Sequence, residues 1–378
     1  MRIAVNTRCL KPGLEIPFSL FTAETFKRIV VQHPEHQFYF IFDAEYDPQF
    51  VFAPNVTPLV LGTAPRNVLS TRWWYGVKLP ALLKKIEADI FVSTDGIFSL
   101  SAKLPQVLVI HNLVYLHGAS FLRKSHVYMY QHHTQRYINK AAAIATITNF
   151  SKKDILNNYK VSPEKITVVG RAAAAYFKPV DWREKEAIKE KYTSGKEYFL
   201  YSGVTHPGGN LLNLLKAFSI FKKRQQSNMQ LLIVGRVAWQ TNEFEEKLAT
   251  YKYRAEVKLF GNMKNEELAI VTAGAYASVY ANKVEGIGHP VLEALQCEVP
   301  LITSNSRSMP ELAGSAALYA NPDIPEEIAE QMKLIYKDEN LRSQLIENGR
   351  EQVKNFDWQK TADAFWEVIM AGAGKAES

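Results

Sequence analysis

The chain has almost no cysteine: Cys9 and Cys297 are the only two in 378 residues, and they form no C-x-x-C pair. That excludes a disulfide framework and a dithiol redox centre, so each cysteine reads as a small buried hydrophobe in a reducing compartment. Zinc-type Cys/His spacings and a D-x-D pair in a loop are both missing, and no metal or other cofactor is expected. No G-x-G-x-x-G follows a strand pattern with an acidic residue at the right distance, which argues against a dehydrogenase on Rossmann domains. There is no short-period repeat, and no mixed basic and aromatic motif of the kind that binds nucleic acid. Long apolar runs are absent as well. MRIAVNTRCL leads straight into a strand pattern, so neither a signal peptide nor a spanning helix is expected, and a cytoplasmic protein is.

Acidic residues are scarce in the first half. Residues 1–180 carry 21 Lys+Arg against 11 Asp+Glu, while 181–378 carry 24 against 27, so the first half holds all of the net charge of +7. Such a face suits anionic lipid or a phosphorylated acceptor, although lysines scattered in solvent are the commoner cause. The segment Asn67–Lys85 adds Trp73, Trp74 and Tyr75 to this basic half. It reads either as a surface segment touching membrane or as an aromatic stretch packed on a sheet and interrupted by Gly76 and Pro80.

What is present is an alternation of short apolar runs with amphipathic stretches. At 47% hydrophobic residues, a chain of this length is expected to build two cores. Strands are predicted at Ile3–Val5, Phe38–Phe42, Asp89–Ser93, Gln106–Ile110 and Lys165–Val169, then at Tyr198–Ser202, Leu231–Val234, Val257–Gly261 and Ala277–Tyr280. Helical periodicity lies between many of them, which is the pattern of α/β domains with parallel sheets. Ser151 with Asp154 reads as a capping-box variant opening one such helix.

The reading turns on Lys283–Ser304, KVEGIGHPVLEALQCEVPLITS. Glu285 lies in a loop with Gly286 and Gly288, and Pro290 suits a first helical turn, so Val291–Gln296 is predicted helical with Glu293 near its start. Val299–Ser304 then reads as a buried strand. Unpaired N–H groups at the helix start attract anions, and the glycines let a ligand approach the backbone. A carboxylate just inside such a helix is placed to take two hydroxyls of a sugar or ribose, while the one in the loop faces the ligand's other end.

This stretch resembles the E-x7-E signature of retaining glycosyltransferases of family 4, which have the GT-B fold. The resemblance extends to E-G-x-G-x-P, L-E-A, the P-L-I-T-S strand and Ser308–Gly314, SMPELAG, in the family's order. It implies two Rossmann-like domains facing one another across a cleft: an acceptor-side domain at 1–180, a nucleotide-sugar domain at 181–355, and a terminal helix at 356–378 crossing back to the first. It also implies retaining, metal-independent transfer of a sugar from a nucleotide diphosphate sugar to an acceptor hydroxyl on a sugar, glycan or lipid-linked carrier. Contact with the inner membrane surface through the basic N-terminal domain fits the same picture.

The resemblance carries roles residue by residue. Glu293 would bind the nucleotide ribose. Glu285, with the backbone of Gly286, Ile287, Gly288 and His289, would meet the donor sugar. Gly203 and Asn210 bracket a turn placed like a phosphate loop, Arg236 is positioned to lend it a charge, and His111 would sit near the transferred sugar. Four departures from the family pattern favour a rival reading, a GT-B relative that is weakly active or inactive and acts as a binding scaffold. In KPGLEIPFSL only Gly13 remains of an expected glycine-rich loop, so that Ile16, Pro17 and Phe18 should fill part of the cavity. Asn112 stands where the family has Asp, Gly170–Ala175 is GRAAAA, and Gly208-Gly209 occupy the places of two basic residues.

Overall fold

The computed structural model describes residues 1–12, 17–62, 68–117, 122, 124–203, 207–235, 242–284 and 287–374. The chain divides into two compact units, one comprising Met1–Arg171 with the C-terminal segment from Phe356, the other Ala172–Asn355.

The first unit is built on seven parallel strands: β1 (Arg2–Asn6), β2 (Gln37–Phe42), β3 (Val56–Val60), β4 (Ile90–Ser93), β5 (Gln106–Val109), β6 (Ala143–Thr146) and β7 (Ile166–Val168). Their order across the sheet is β3-β2-β1-β4-β5-β6-β7. A parallel sheet covered on both faces has no solvent side, which is why IFVS, QVLV and AIAT are buried at every position. Pro58 lacks a donor, and it lies in the edge strand, where a missing N–H breaks no ladder. The helix Trp358–Gly374 returns to this unit and packs on the helix Pro17–Gln32, with the Phe365 ring centroid 5.3 Å from Phe21 and Trp366 stacked on His33 at 3.9 Å.

Two local expectations need correction. Gly76 and Pro80 do not break the segment after Asn67: helix Val68–Trp73 passes through a π-helical turn, Trp74–Lys78, into helix Leu79–Lys85. Leu79 N–H bonds Trp74 O across the wider turn, and the Gly76 carbonyl, which Pro80 has no N–H to meet, accepts from Ser101 Oγ at 2.5 Å instead. The helix Asn149–Asn158 is capped by Thr148, whose hydroxyl accepts from Ser151 N at 3.0 Å. Ser151 instead donates its hydroxyl to His111 O at 3.0 Å, and Asp154 meets His117 at 2.8 Å.

The second unit holds six parallel strands: β8 (Tyr198–Ser202), β9 (Gln230–Val234), β10 (Val257–Phe260), β11 (Ala277–Tyr280), β12 (Leu301–Ser304) and β13 (Ala317–Ala320), ordered β10-β9-β8-β11-β12-β13. The first six strands of each unit thus share one order, and each sheet has a point where the chain's direction of travel reverses. That point lies between β1 and β4 in one sheet and between β8 and β11 in the other. Open α/β sheets bind ligands beyond the carboxyl ends of the strands at such points. The expected α/β class with two Rossmann-like sheets is what the chain builds.

Candidate functional site

In the second unit the loops after β8 and β11 flank the reversal point, and they carry the residues singled out above. Gly203 directly follows β8 and donates its N–H to Val234 O at 3.0 Å. Beside it, Gly235 directly follows β9, and the two have φ of 149° and 151°. A Cβ on Gly235 would lie 1.7 Å from Gly203 O, so the two strand ends pass each other backbone to backbone. Gly235→Ala is therefore expected to destabilise this unit by about 2–6 kcal/mol, the sum of backbone strain and overpacking. Chemical denaturation checks this, and an unchanged midpoint would contradict it.

After Pro207–Gly209, Asn210 adopts a left-handed conformation (φ 62°) and opens helix Leu211–Gln225. Its buried amide donates to Ala281 O at 2.8 Å and to Pro322 O at 2.6 Å. Asn210 therefore clamps the loop after β8 to the loop after β11; its amide N–H groups hold protein rather than point at a ligand. Lys283 N donates to Gly208 O at 3.1 Å and Arg307 Nε to Lys283 O at 3.2 Å, which fixes the start of the β11 loop from both sides.

Glu285, Gly286 and Arg236 lie outside the described residues. Just beyond, Ile287 and Gly288 are buried, and Gly288 (φ 64°) forms the N-cap of helix His289–Gln296. A Cβ there would come within 2.4 Å of Leu312 Cδ1, so a larger residue would have to push that side chain aside and would also be strained at this φ. Glu293 sits one turn into the helix, largely buried, with His289 Nδ1 3.9 Å from its carboxylate. The E-x7-E spacing thus places Glu293 on a short helix whose start abuts the loop after β11 at the sheet's reversal point.

The first unit carries His111 beyond the end of β5. The ring is buried, and Nε2 lies 2.9 Å from Thr94 O, so the carbonyl fixes the tautomer with the proton on Nε2. Burial, assisted by the charge of Arg171, pushes its pKa down from 6.5 to about 3. The imidazole is consequently neutral near pH 7, and Nδ1 is its acceptor nitrogen. Asn112 does not orient the ring; its Oδ1 accepts from Val114 N at 3.1 Å. The orienting role left open by the missing aspartate falls to a backbone carbonyl. Phe18 lies 4.7 Å from His111 between ring centroids, so at this position the expected side chain does fill space beside the histidine. Gly13 and Ile16 lie outside the described residues, as does the side chain of Pro17.

His111 lines a cavity of about 330 Å³ with Phe18, Asp95, Gly96, Tyr115 and Tyr130. Asp95 is its anionic wall. It accepts from Tyr75 OH and Ser93 Oγ, both at 3.0 Å, and stands 3.8 Å from Arg8, which in turn bonds Asp43 at 3.0 Å. Reading the sequence missed this network, although Arg8 and Asp95 each lie two residues past a strand flanking the reversal point. It also missed Arg307, three residues past β12 with φ 59°, for which no carboxylate lies within ion-pair distance among the described residues. Cys9 and Cys297 are buried free thiols, and burial raises that of Cys9 to about 12, so neither is poised as a nucleophile. Among the described residues no group of three or more His, Cys, Asp or Glu side chains could hold a metal ion.

Comparison with known proteins divides the chain at the same place as its folding units. The family described as Glycosyltransferase Family 4 matches residues 34–173, and Glycosyl transferases group 1 matches residues 183–352. O-antigen chain mannosyltransferase B of Escherichia coli is 26% identical over 223 residues, 59% of this chain and 58% of that one. O-antigen chain mannosyltransferase RfbU of Salmonella typhimurium is 26% identical over 287 residues, 74% of this chain and 75% of that one. The match to a serotype-specific mannosyltransferase WbdA of Escherichia coli spans 32% of that longer protein. The chain thus spans less than two thirds of the length of two of these three relatives. Among solved structures, WaaG, a glycosyltransferase involved in lipopolysaccharide biosynthesis, superimposes with a TM-score of 0.77 at 14% identity over 97% of this chain and 99% of that one. Anabaena HepE in complex with UDP and glucose gives 0.76 at 12% identity over the same shares. These likenesses are of fold.

Proposed function

The chain is a GT-B protein, glycosyltransferase family 4-like in its first half and group 1-like in its second, and from that premise we propose that it transfers a sugar from a nucleotide diphosphate sugar to an acceptor hydroxyl, with retention and without a metal ion. The observation that carries this reading is the joining of the loops after β8 and β11 by Asn210, which sets glycine-lined backbone and the Glu293 helix at the reversal point of one sheet. That arrangement offers amides to a diphosphate and a carboxylate to a ribose. Glu285 would meet the donor sugar together with the Ile287–His289 backbone. The departing diphosphate would take the acceptor's proton on the face where it leaves, so the enzyme's task is to stabilise that diphosphate.

On the acceptor side, neutral His111 would offer Nδ1 to a sugar hydroxyl as a hydrogen-bond acceptor rather than as a cation. The cavity that His111 lines, aromatic over much of its wall with Asp95 on one side, fits an acceptor that joins a polar glycan to an apolar portion, such as a lipid-linked glycan. Mannosyltransferases among the relatives make a nucleotide-diphosphate mannose the first donor to test. The same relatives act on O-antigen chains, and the basic first unit suits a peripheral position at an anionic membrane surface. Among the described residues no helix is long and apolar enough to cross a membrane.

Glu293→Gln tests the site. An amide loses the charge-assisted bonds to two ribose hydroxyls, and nucleotide affinity should fall about 10–100-fold with the fold intact. Calorimetry with the free nucleoside diphosphate reads this directly, and unchanged affinity would remove Glu293 from the site.

A further inference from the structure

The segment Val68–Lys85 divides its aromatics between two faces. Trp74 and Tyr75 are buried, and Arg8 stacks over both rings at 5.0 and 5.5 Å. Leu69, Trp73 and Val77, each four residues from the next, are 75%, 52% and 57% exposed, and Ala81 continues the stripe in solvent. Single exposed apolar residues need no explanation, but a stripe along three turns of a helix leaves an apolar ridge that no described residue covers. Exposed Arg72, Lys84 and Lys85 flank it, and Lys78 Nζ rests 4.4 Å from the Trp73 ring. The helix Lys124–Lys140 packs alongside and adds Tyr128, 60% exposed and stacked on His132 at 4.7 Å.

Charge identifies the occupant. From Pro48 to Lys153 the chain has 12 Lys+Arg and only 3 Asp+Glu, with none of the acids between Gly96 and Lys153. The three acids are already engaged: Glu87 and Asp89 with Arg2, and Asp95 with Tyr75 and Ser93. A helix lying with an apolar ridge and a basic flank toward solvent is matched by the headgroup region of an anionic bilayer.

We infer that the Leu69–Ala81 ridge, flanked by Arg72, Lys84 and Lys85, is the surface on which this protein docks to anionic lipid. This deepens the peripheral-membrane reading above and does not depend on the donor chemistry. It also has a consequence for the His111 cavity. Tyr75 follows the ridge residue Trp73 by two positions and bonds Asp95, which lines the His111 cavity. Tyr130, two residues from exposed Tyr128, lines it too. Positions two apart on a helix face opposite ways, so a docked protein holds that cavity behind the ridge helix, about one helix diameter from the lipid-facing side.

The test is flotation of the full chain with phosphatidylcholine vesicles that contain or lack phosphatidylglycerol. The wild type should float only with the anionic vesicles. The triple variant Leu69→Ser, Trp73→Ser, Val77→Ser should lose binding by about tenfold or more at an unchanged melting temperature. Arg72→Gln with Lys84→Gln and Lys85→Gln should weaken binding and flatten its dependence on salt. Failure of the wild type to bind either vesicle, or undiminished binding by the serine variant, would overturn the proposal. So would duplex DNA, or a second copy of the chain, engaging the ridge while vesicles do not. Donor hydrolysis in vesicle-free solution should be the same in wild type and serine variant; loss of hydrolysis in both, with flotation intact, would count against the donor reading alone.

Discussion

Replacing Gly208 by arginine and Gly209 by lysine is expected to tighten the binding of a nucleoside diphosphate by a factor of about 10²–10⁴. Hydrogen bonds to charged groups contribute about 1.5–3 kcal/mol each, so two restored contacts are worth about 3–6 kcal/mol. Neither glycine has a left-handed φ, so a side chain meets no backbone strain there, and the Gly208 carbonyl bond from Lys283 N uses main-chain atoms that the change keeps. Both positions are buried, which makes the melting temperature a necessary companion measurement. Tighter binding with faster donor hydrolysis supports an enzyme with a weakened diphosphate site. Tighter binding without hydrolysis supports the scaffold reading. A wild type that already binds a nucleotide sugar at low micromolar concentration, unaffected by the double substitution, would show that other groups carry the charge. Arg307, bonded to the carbonyl of Lys283 and unmatched by a described carboxylate, is then the first to replace.

Glu285→Ala is expected to lower turnover by about 10²–10³ while leaving nucleoside diphosphate affinity nearly unchanged. The reason is that its partner is the sugar end of the donor, where charge develops as the bond to the diphosphate breaks. Groups aimed at such developing charge contribute about 2.7–4 kcal/mol to the transition state and little to ground-state binding. Glu293→Gln should behave in the opposite way, with affinity falling more than turnover. Comparing kcat and KM for the two variants separates the roles. Equal losses in both parameters for Glu285→Ala would contradict the division of labour between the two glutamates.

Most of the sheet framework could be read from the chain because a parallel sheet covered on both faces demands short, wholly apolar strands, and runs such as Leu231–Val234 announce themselves. β3 escaped notice because Pro58 argues against a strand unless the strand is at an edge, which only the assembled sheet reveals. The helix Lys124–Lys140 is so rich in histidine, tyrosine and glutamine that its buried face leaves little trace in hydropathy. In Asn67–Lys85 the helix-breaking signals of Gly76 and Pro80 were real. The wider π turn absorbs them, and burial of Trp74 and Tyr75 agrees with the reading of an aromatic stretch packed inward.

At the site, spacing alone was enough to place Glu293 at the start of a helix, since loop, glycine cap and proline each dictate local geometry. Side-chain duties set by tertiary contact were not legible. The sequence suggested a ligand role for Asn210, but its amide reaches carbonyls 71 and 112 residues away. It likewise pointed to a missing aspartate at Asn112, whereas the orienting group for His111 is Thr94 O, 17 residues back on the neighbouring strand's loop.

The central claim is tested most directly without knowing the acceptor, by following hydrolysis of nucleotide-diphosphate mannose and UDP-glucose by proton NMR in the presence of a chelator. Water replaces the acceptor, and the anomer released first reports the stereochemistry before mutarotation scrambles it. The account predicts slow consumption of one donor, release of the nucleoside diphosphate, and first appearance of the sugar in the donor's own anomeric configuration. First appearance of the opposite anomer, or a folded protein that neither binds nor consumes any donor, would contradict it.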